Sequence, residues 1–426
     1  MTPLCLLASA LLAGAGPAAP PAAPAVRTAL PSGLELAVVP VAGARAASLR
    51  IVVRTGSEDD PPRRQGLAHV LEHVLLSGIG KDGLDPVQAA RAAGGRLNAF
   101  TSHHLTTFAL DAPAATFPAL AERVLRAVAA PELEHVELDR ELAVIAREDE
   151  YGGSGPGVLD LLGQALFDGQ TRPDVIGNHE SREAIDRAAL TRHLADRYRP
   201  DRVSVAFAGA VEPEAARALV AQAFASGRAA GATPREPAPA AAPPVVAARL
   251  PATRKLRALL LATAVAHRLD PADRDACPAL AALVERRLYA ELAVRRAIAR
   301  EASASCVSLR GTPLLVALVN VPSIEAEDLP ARIGRVLEDV AAVPADPAER
   351  REITRRLARE ADRVAADPVA IAEALADLAG WPGELLARPL PGAAPRELAP
   401  GALRDVARRT FRPERRATLV LSPFEG

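Results

Sequence analysis

Apolar positions along the chain switch between two periods. Residues 34–40 and 46–54 are short, β-branched-rich runs joined by Ala, Gly and Arg, and they read as a pair of strands. Over 66–76 the apolar residues take helical spacing, and 85–93 predicts a second helix, stopped by Gly94-Gly95. Residues 96–112 return to strand character and read as two further strands. Long helices are predicted over 116–129 and 134–150, then a strand over 203–210 and a helix over 212–225. Strands and helices in this mixed order predict an α+β domain.

Residues 229–248 break the pattern. They are Pro/Ala-rich, carry no hydrophobic period and read as a linker. Beyond them the plan recurs in outline. A strand over 257–266 and a helix over 277–292 precede strands over 302–310 and 313–321. Helices follow over 329–343, 347–363, 369–379 and 402–410, and a last strand over 417–421. The expectation is two divergent copies of one α/β unit, 26–228 and 249–426, each a mixed sheet with packed helices.

The first 25 residues differ from both halves. An apolar stretch over 4–12 is followed by small residues and prolines, the layout of an export signal without basic residues ahead of it. The expectation is a periplasmic or secreted protein whose mature chain starts near Val26, or a cytoplasmic one if the leader is not a signal. The stretch is too short for a stable membrane span.

Composition narrows the function class. A chain of 426 residues exceeds one ordinary core. With 49% hydrophobic and only 3% aromatic residues, that core must be built from Ala, Leu and Val. The formal net charge of −1 gives no electrostatic case for nucleic acid or an anionic membrane. Cys277 and Cys306 are either one bridge or two thiols, and no Cys-x-x-Cys suggests a structural zinc site.

The chemistry concentrates in His69-Val70-Leu71-Glu72-His73. On a helix, His69 and His73 are four apart and project from one face. Two neutral imidazoles there can take two corners of a zinc tetrahedron. Glu72 neighbours the same face, placed to take a proton from a zinc-bound water and hand it to a leaving amine. The order H-x-x-E-H is the inverzincin signature. Apolar Leu67, Val70, Leu71, Val74 and Leu75 argue for a buried helix rather than two surface histidines. A catalytic zinc needs a third ligand and an open position. The helix over 134–150 offers Glu141, Glu148, Asp149 and Glu150, and pattern alone does not choose among them.

Residues 66–78, G-L-A-H-V-L-E-H-V-L-L-S-G, resemble the metal helix of the pitrilysin/insulinase zinc metallopeptidases, which include the mitochondrial processing peptidases and their bacterial relatives. The resemblance selects Glu148 as third ligand, in a pattern like E-x-x-V-I-x-x-E beginning at Glu141, with Glu141 as its outer companion. It also matches Gly94-Gly95-Arg-Leu-Asn98-Ala99-Phe100-Thr101-Ser102 to a stretch leading into a substrate-pairing edge strand. This implies that Asn98, Ala99, Phe100 and Thr101 hold extended peptide by β-augmentation. His104 stands where relatives often carry Glu. The implied fold is two homologous α/β domains forming half of a clam shell. The implied activity is zinc-dependent (Zn2+) hydrolysis of extended peptides or unfolded segments.

The second half departs from that family. Arg287-Leu288-Tyr289-Ala-Glu-Leu292 resembles the stretch that precedes an Arg/Tyr pair reaching the substrate, but those positions hold Ala293 and Arg300. The departure implies a metal-bearing subunit of a homo- or heterodimer, whose similar-fold partner supplies the Arg/Tyr pair. The competing expectation is a non-catalytic peptide-binding or assembly subunit that retains the fold.

Overall fold

The computed structural model describes residues 25–78, 83–152, 162, 174–225, 246–249, 262–309, 312–321, 328–390, 399, 401–412 and 415–422. Residues 1–24 of the leader expected over 1–25, residues 229–245 of the linker expected over 229–248, and the start of the strand expected from 257 lie outside them.

The first sheet has six strands in the order β1-β2-β6-β3-β5-β4. These are β1 (Val26–Ala29), β2 (Glu35–Pro40), β3 (Ala46–Val53), β4 (Arg96–Thr101), β5 (Thr106–Pro113) and β6 (Val203–Gly209). β2 and β3, joined by a short connection, are not the pair their sequence suggested. β6 lies between them, parallel to β2 and antiparallel to β3. The reason is burial. Every residue of β6 is buried, so its continuous apolar run demands a central place covered on both faces.

One face of this sheet packs on α1 (Leu67–Ser77), α2 (Pro86–Ala92), α3 (Phe117–Ala129) and α7 (Pro213–Ala223), with α4 (Leu138–Gly152) and α6 (Arg187–Arg197) against α1 and the short α5 (His179–Glu183) preceding α6. Leu49, Ile51, Phe108, Leu110, Val205 and Phe207 meet Leu67, Val70, Leu71 and Val74 of α1 in that core. The short α5 and α6 carry weak apolar periodicity, and no helix is expected there from sequence. α5 is instead closed locally by a capping box between Asn178 and Ser181.

The second sheet runs β7-β11-β8-β10-β9. Its strands are β7 (Val246–Arg249), β8 (Ala262–Arg268), β9 (Glu301–Leu309), β10 (Thr312–Asn320) and β11 (Arg416–Ser422). β7 is parallel to β11, and β11, β8, β10 and β9 are successively antiparallel. The first sheet repeats this pattern in β2, β6, β3, β5 and β4. β7 occupies the end of the stretch read as linker, because Val246–Arg249 finds a strand partner only at the far end of the chain.

Helices α8 (Cys277–Leu288), α9 (Leu329–Ala342), α10 (Pro347–Ala366) and α13 (Ala402–Thr410) belong to the second half. α8 ends earlier than its apolar run predicts and passes into a π-helix, Tyr289–Arg295. Cys277 and Cys306 are bridged, tying the start of α8 to the edge strand β9, with Cα atoms 6.0 Å apart. Arg287 is structural. It meets Glu349 with two contacts at 3.0 and 3.1 Å and donates to Val343 O at the end of α9.

Two helices of the second half cover the first sheet. α11 (Pro368–Ala379) and α12 (Glu384–Ala387) lay Ile371, Ala372, Leu375, Ala379 and Leu385 on Ala37, Val52, Ala206 and Ala208. The small side chains on that sheet face let the helix approach closely. Polar ties fix the contact: Gly383 N donates to Glu35 Oε1 at 2.6 Å, and Arg54 Nη1 donates to Ser204 Oγ at 2.7 Å and Ala379 O at 3.3 Å. Among the described residues, no helix is long and apolar enough to cross a membrane.

Candidate metal centre

The site begins with the placement of α1. Gly66 precedes it with φ +95°, and a Cβ there would fall 2.4 Å from Ile176 O, so glycine is required on two counts. Asp60 caps the helix from outside, its two oxygens accepting from Gly66 N at 2.8 Å and Ala68 N at 2.9 Å. Burial pushes the Asp60 carboxyl up to about 7, against the lowering pull of those backbone N–H groups. Apolar Leu67, Val70, Leu71, Val74 and Leu75 turn into the core. That leaves His69 and His73 half-buried on the adjoining face, toward α4.

Among the described residues, His69, His73 and Glu148 bring one ligand atom each within 4.8 Å of the others. Glu148 Oε2 lies 3.4 Å from His73 Nε2 and 3.8 Å from His69 Nε2. Ligand bonds near 2.1 Å at a tetrahedral angle put donor atoms about 3.4 Å apart, so these distances suit zinc. Protonation chemistry fits as well. Burial, then His73 and Arg182, lower His69 to about 3, so it is a neutral imidazole and not the cationic half of an ion pair. The two imidazoles stand edge to face at 88°. His73 turns its other nitrogen, Nδ1, to Glu141 Oε2 at 3.6 Å, the place an outer carboxylate would take behind a metal-binding histidine.

Asp149, next to Glu148, has a separate task. Its Oδ2 accepts from both terminal nitrogens of Arg182 at 3.1 Å, and Arg182 also donates to Gly177 O at 2.9 Å. This pins α4 to the chain that meets Gly66.

Glu72 is buried, and burial raises its proton affinity, offset in part by a hydrogen bond from Thr101 and by His73. Thr101 Oγ1 donates to Glu72 Oε2 at 2.5 Å. The resemblance groups Thr101 with the substrate-holding residues of β4, yet its side chain is buried. Alternation explains this: Leu97, Ala99 and Thr101 share the face toward α1, while Asn98 and Phe100 point to the other face and are exposed. β4 is an edge strand, as expected. His103 is held by Ser57, Oγ to Nδ1 2.8 Å, and His104 Nδ1 faces Glu58 Oε1 at 3.7 Å.

In the second half, Ala293 sits in the π-helix and Arg300 beyond it, where Arg300 N donates to Asn320 O. Arg295 and Arg296 both pair with Glu291, at 2.7 and 2.6 Å. The contacts of Asp60 and Thr101 bridge separate segments. Spacing carries no signal for the first, and only strand alternation hints at the second.

A metal-helix fold with a His/His/Glu donor set is the architecture of a zinc-peptidase class, and comparison with known proteins agrees. The model of the insulinase family, peptidase family M16, matches residues 37–172, and that of the peptidase M16 inactive domain matches 184–357. The chain belongs to this insulinase/pitrilysin family.

An uncharacterized zinc protease of Mycobacterium leprae is 35% identical over 208 residues, 47% of this chain and 46% of that protein. The mitochondrial-processing peptidase subunit beta of Saccharomyces cerevisiae is 27% identical over 45% of this chain and 42% of its own. The matched region spans about half the length of such relatives. A protease from Helicobacter pylori shares the fold at TM-score 0.72 and 18% identity, over 94% of this chain and 99% of that one. Pitrilysin does so at 0.67 and 18%, over 95% of this chain and 45% of its own.

Proposed function

We propose that the chain is a zinc endopeptidase acting on extended peptides or unfolded protein segments. The observation that carries this reading is the meeting of His69, His73 and Glu148 beside a buried Glu72 on the same helix. Zinc, when held by these donors, supplies a Lewis acid and acidifies a water at its remaining position. Glu72 takes the proton of the attacking water and returns it to the leaving amine. Burial of Glu72 raises its proton affinity, the direction that favours holding the proton between the two transfers. The edge of β4, unpaired among the described residues, holds the peptide main chain, with Asn98 and Phe100 exposed to its side chains.

The absence of Arg and Tyr at Ala293 and Arg300 supports a dimer in which a similar-fold subunit completes the site. The bridge between Cys277 and Cys306 supports an oxidising compartment, in keeping with export.

The deciding experiment measures zinc per chain and hydrolysis of an unfolded protein by wild type and Glu72→Gln. The expected outcome is one zinc in each, with a loss of roughly 10²–10⁴-fold in rate for the variant. Equal rates would remove Glu72 from the mechanism. Zinc binding without hydrolysis, with or without a partner subunit, would favour the second reading, a non-catalytic peptide-binding or assembly subunit. The match of the second half to the inactive-domain model is the observation in that reading's favour.

A further inference from the structure

Resting on that peptidase reading, we propose that Thr101 is the positioning residue for Glu72, fixing one carboxylate oxygen so that the other is reserved for proton transfer. Thr101 Oγ1 lies 2.5 Å from Glu72 Oε2, and both side chains are buried. A glutamate has three rotatable bonds, and a base that swings between rotamers spends little time at the reacting atoms. A donor on one oxygen removes that freedom.

With Glu72 ionised, as a base must be, hydrogen counting fixes the direction of the bond. Thr106 Oγ1 donates to Thr55 O at 3.1 Å, which uses its single hydrogen. Thr101 Oγ1 stands 3.4 Å from Thr106 Oγ1 but 2.5 Å from Glu72. The Thr101 hydrogen therefore goes to the carboxylate, and Thr106 backs the hydroxyl from behind.

The hydroxyl is itself held from outside α1. Ser57 N donates to Ser102 O at 3.1 Å, Glu58 N to His103 O at 2.9 Å, and Ser102 N to Leu105 O at 2.8 Å. Ser57 Oγ meets His103 Nδ1 at 2.8 Å, and a Cβ on Gly56 would fall 2.3 Å from Ser102 O. The turn after β4 is thus stitched to the loop after β3, which also caps α1 through Asp60, and Thr101 presents its hydroxyl to Glu72 from that shared frame. The buried Thr101 side chain meets Glu72 and Thr106, so its effect passes through Glu72.

The test compares Thr101→Val, which keeps shape and removes the donor, with Thr101→Ser, which restores it. In the zinc-loaded protein Thr101→Val is expected to lower kcat on the order of 10²-fold, as for a misplaced catalytic group, with KM and zinc stoichiometry unchanged. Thr101→Ser recovers most of that loss. A Thr101→Val enzyme with wild-type kcat, or one that Thr101→Ser fails to rescue, overturns the proposal.

A second measurement needs no activity. In metal-free protein, Thr101→Val is expected to lower the denaturant midpoint when Glu72 is present but not in a Glu72→Ala background. An equal loss in both backgrounds overturns the proposal. If wild type cleaves nothing with or without a similar-fold partner subunit, the peptidase reading falls, and the metal-free comparison alone decides whether Thr101 positions Glu72.

Discussion

Asp60 offers a sign test of how the metal helix is anchored. Its carboxylate accepts from Gly66 N and Ala68 N at the start of α1. Replacing it by alanine leaves both N–H groups without that acceptor, a cost of about 1–2 kcal/mol by analogy with other N-caps. The pH dependence of this cost is the sharper quantity. Burial pushes the folded-state carboxyl from 3.8 up to about 7. The folded protein therefore holds a proton between those values that the unfolded chain has released. A raised folded pKa contributes stability that is full below the unfolded value and lost as pH rises through the folded one.

Between pH 5 and pH 8 wild type should lose about 2–3 kcal/mol from this group, at 1.36 kcal/mol per unit. The penalty of Asp60→Ala should shrink by the same amount over that range. Asp60→Asn keeps one acceptor and does not titrate, so at pH 8 it should be at least as stable as wild type. The assay is urea unfolding of the metal-free protein at pH 5, 6.5 and 8, each variant subtracted from wild type so that other titrating groups cancel. A penalty that is flat or grows with pH would refute the reasoning, because it would make the ionised carboxylate the stabilising form.

Three further outcomes are expected. Replacing both Cys277 and Cys306 by serine opens a loop with a sequence separation of 29 and should cost about 3–4 kcal/mol in denaturant unfolding, with zinc stoichiometry unchanged. Leu375→Ala empties a fully buried position between α11 and the first sheet and should cost about 2–5 kcal/mol, read as a lower midpoint by a signal from the first half. Gly66→Ala sets a Cβ against Ile176 O at a positive φ, and should cost at least about 1–2 kcal/mol of stability and weaken zinc binding measured by chelator competition.

Much of the element order is legible because period and punctuation are local. Asp85 before Pro86 marks the start of α2, and the apolar stripe of 116–129 becomes α3 with its buried Leu120, Val124 and Val128. The repeat of the two halves shows in outline only, as a similar order of strands and helices. Pairing is another matter. The β2–β3 neighbours suggested by a short connection are separated by β6, which arrives some 150 residues later. Likewise Val246–Arg249 reads as linker until β11 lies beside it. Neither partner is visible within a local window.

The candidate site divides along the same line. One helical turn sets His69, Glu72 and His73 on adjoining faces, because a spacing of three or four residues is a property of the helix itself. The tertiary fold brings Glu148 to 3.4 Å from His73, Glu141 behind it, and Thr101 onto Glu72. It also lays α11 of the second half on the sheet of the first, which a division at the linker does not foresee. The sequence alone therefore determined the elements and the chemistry carried within one turn. Only the folded chain decided distances between segments, because these follow from which buried faces meet, and that is a property of the whole core.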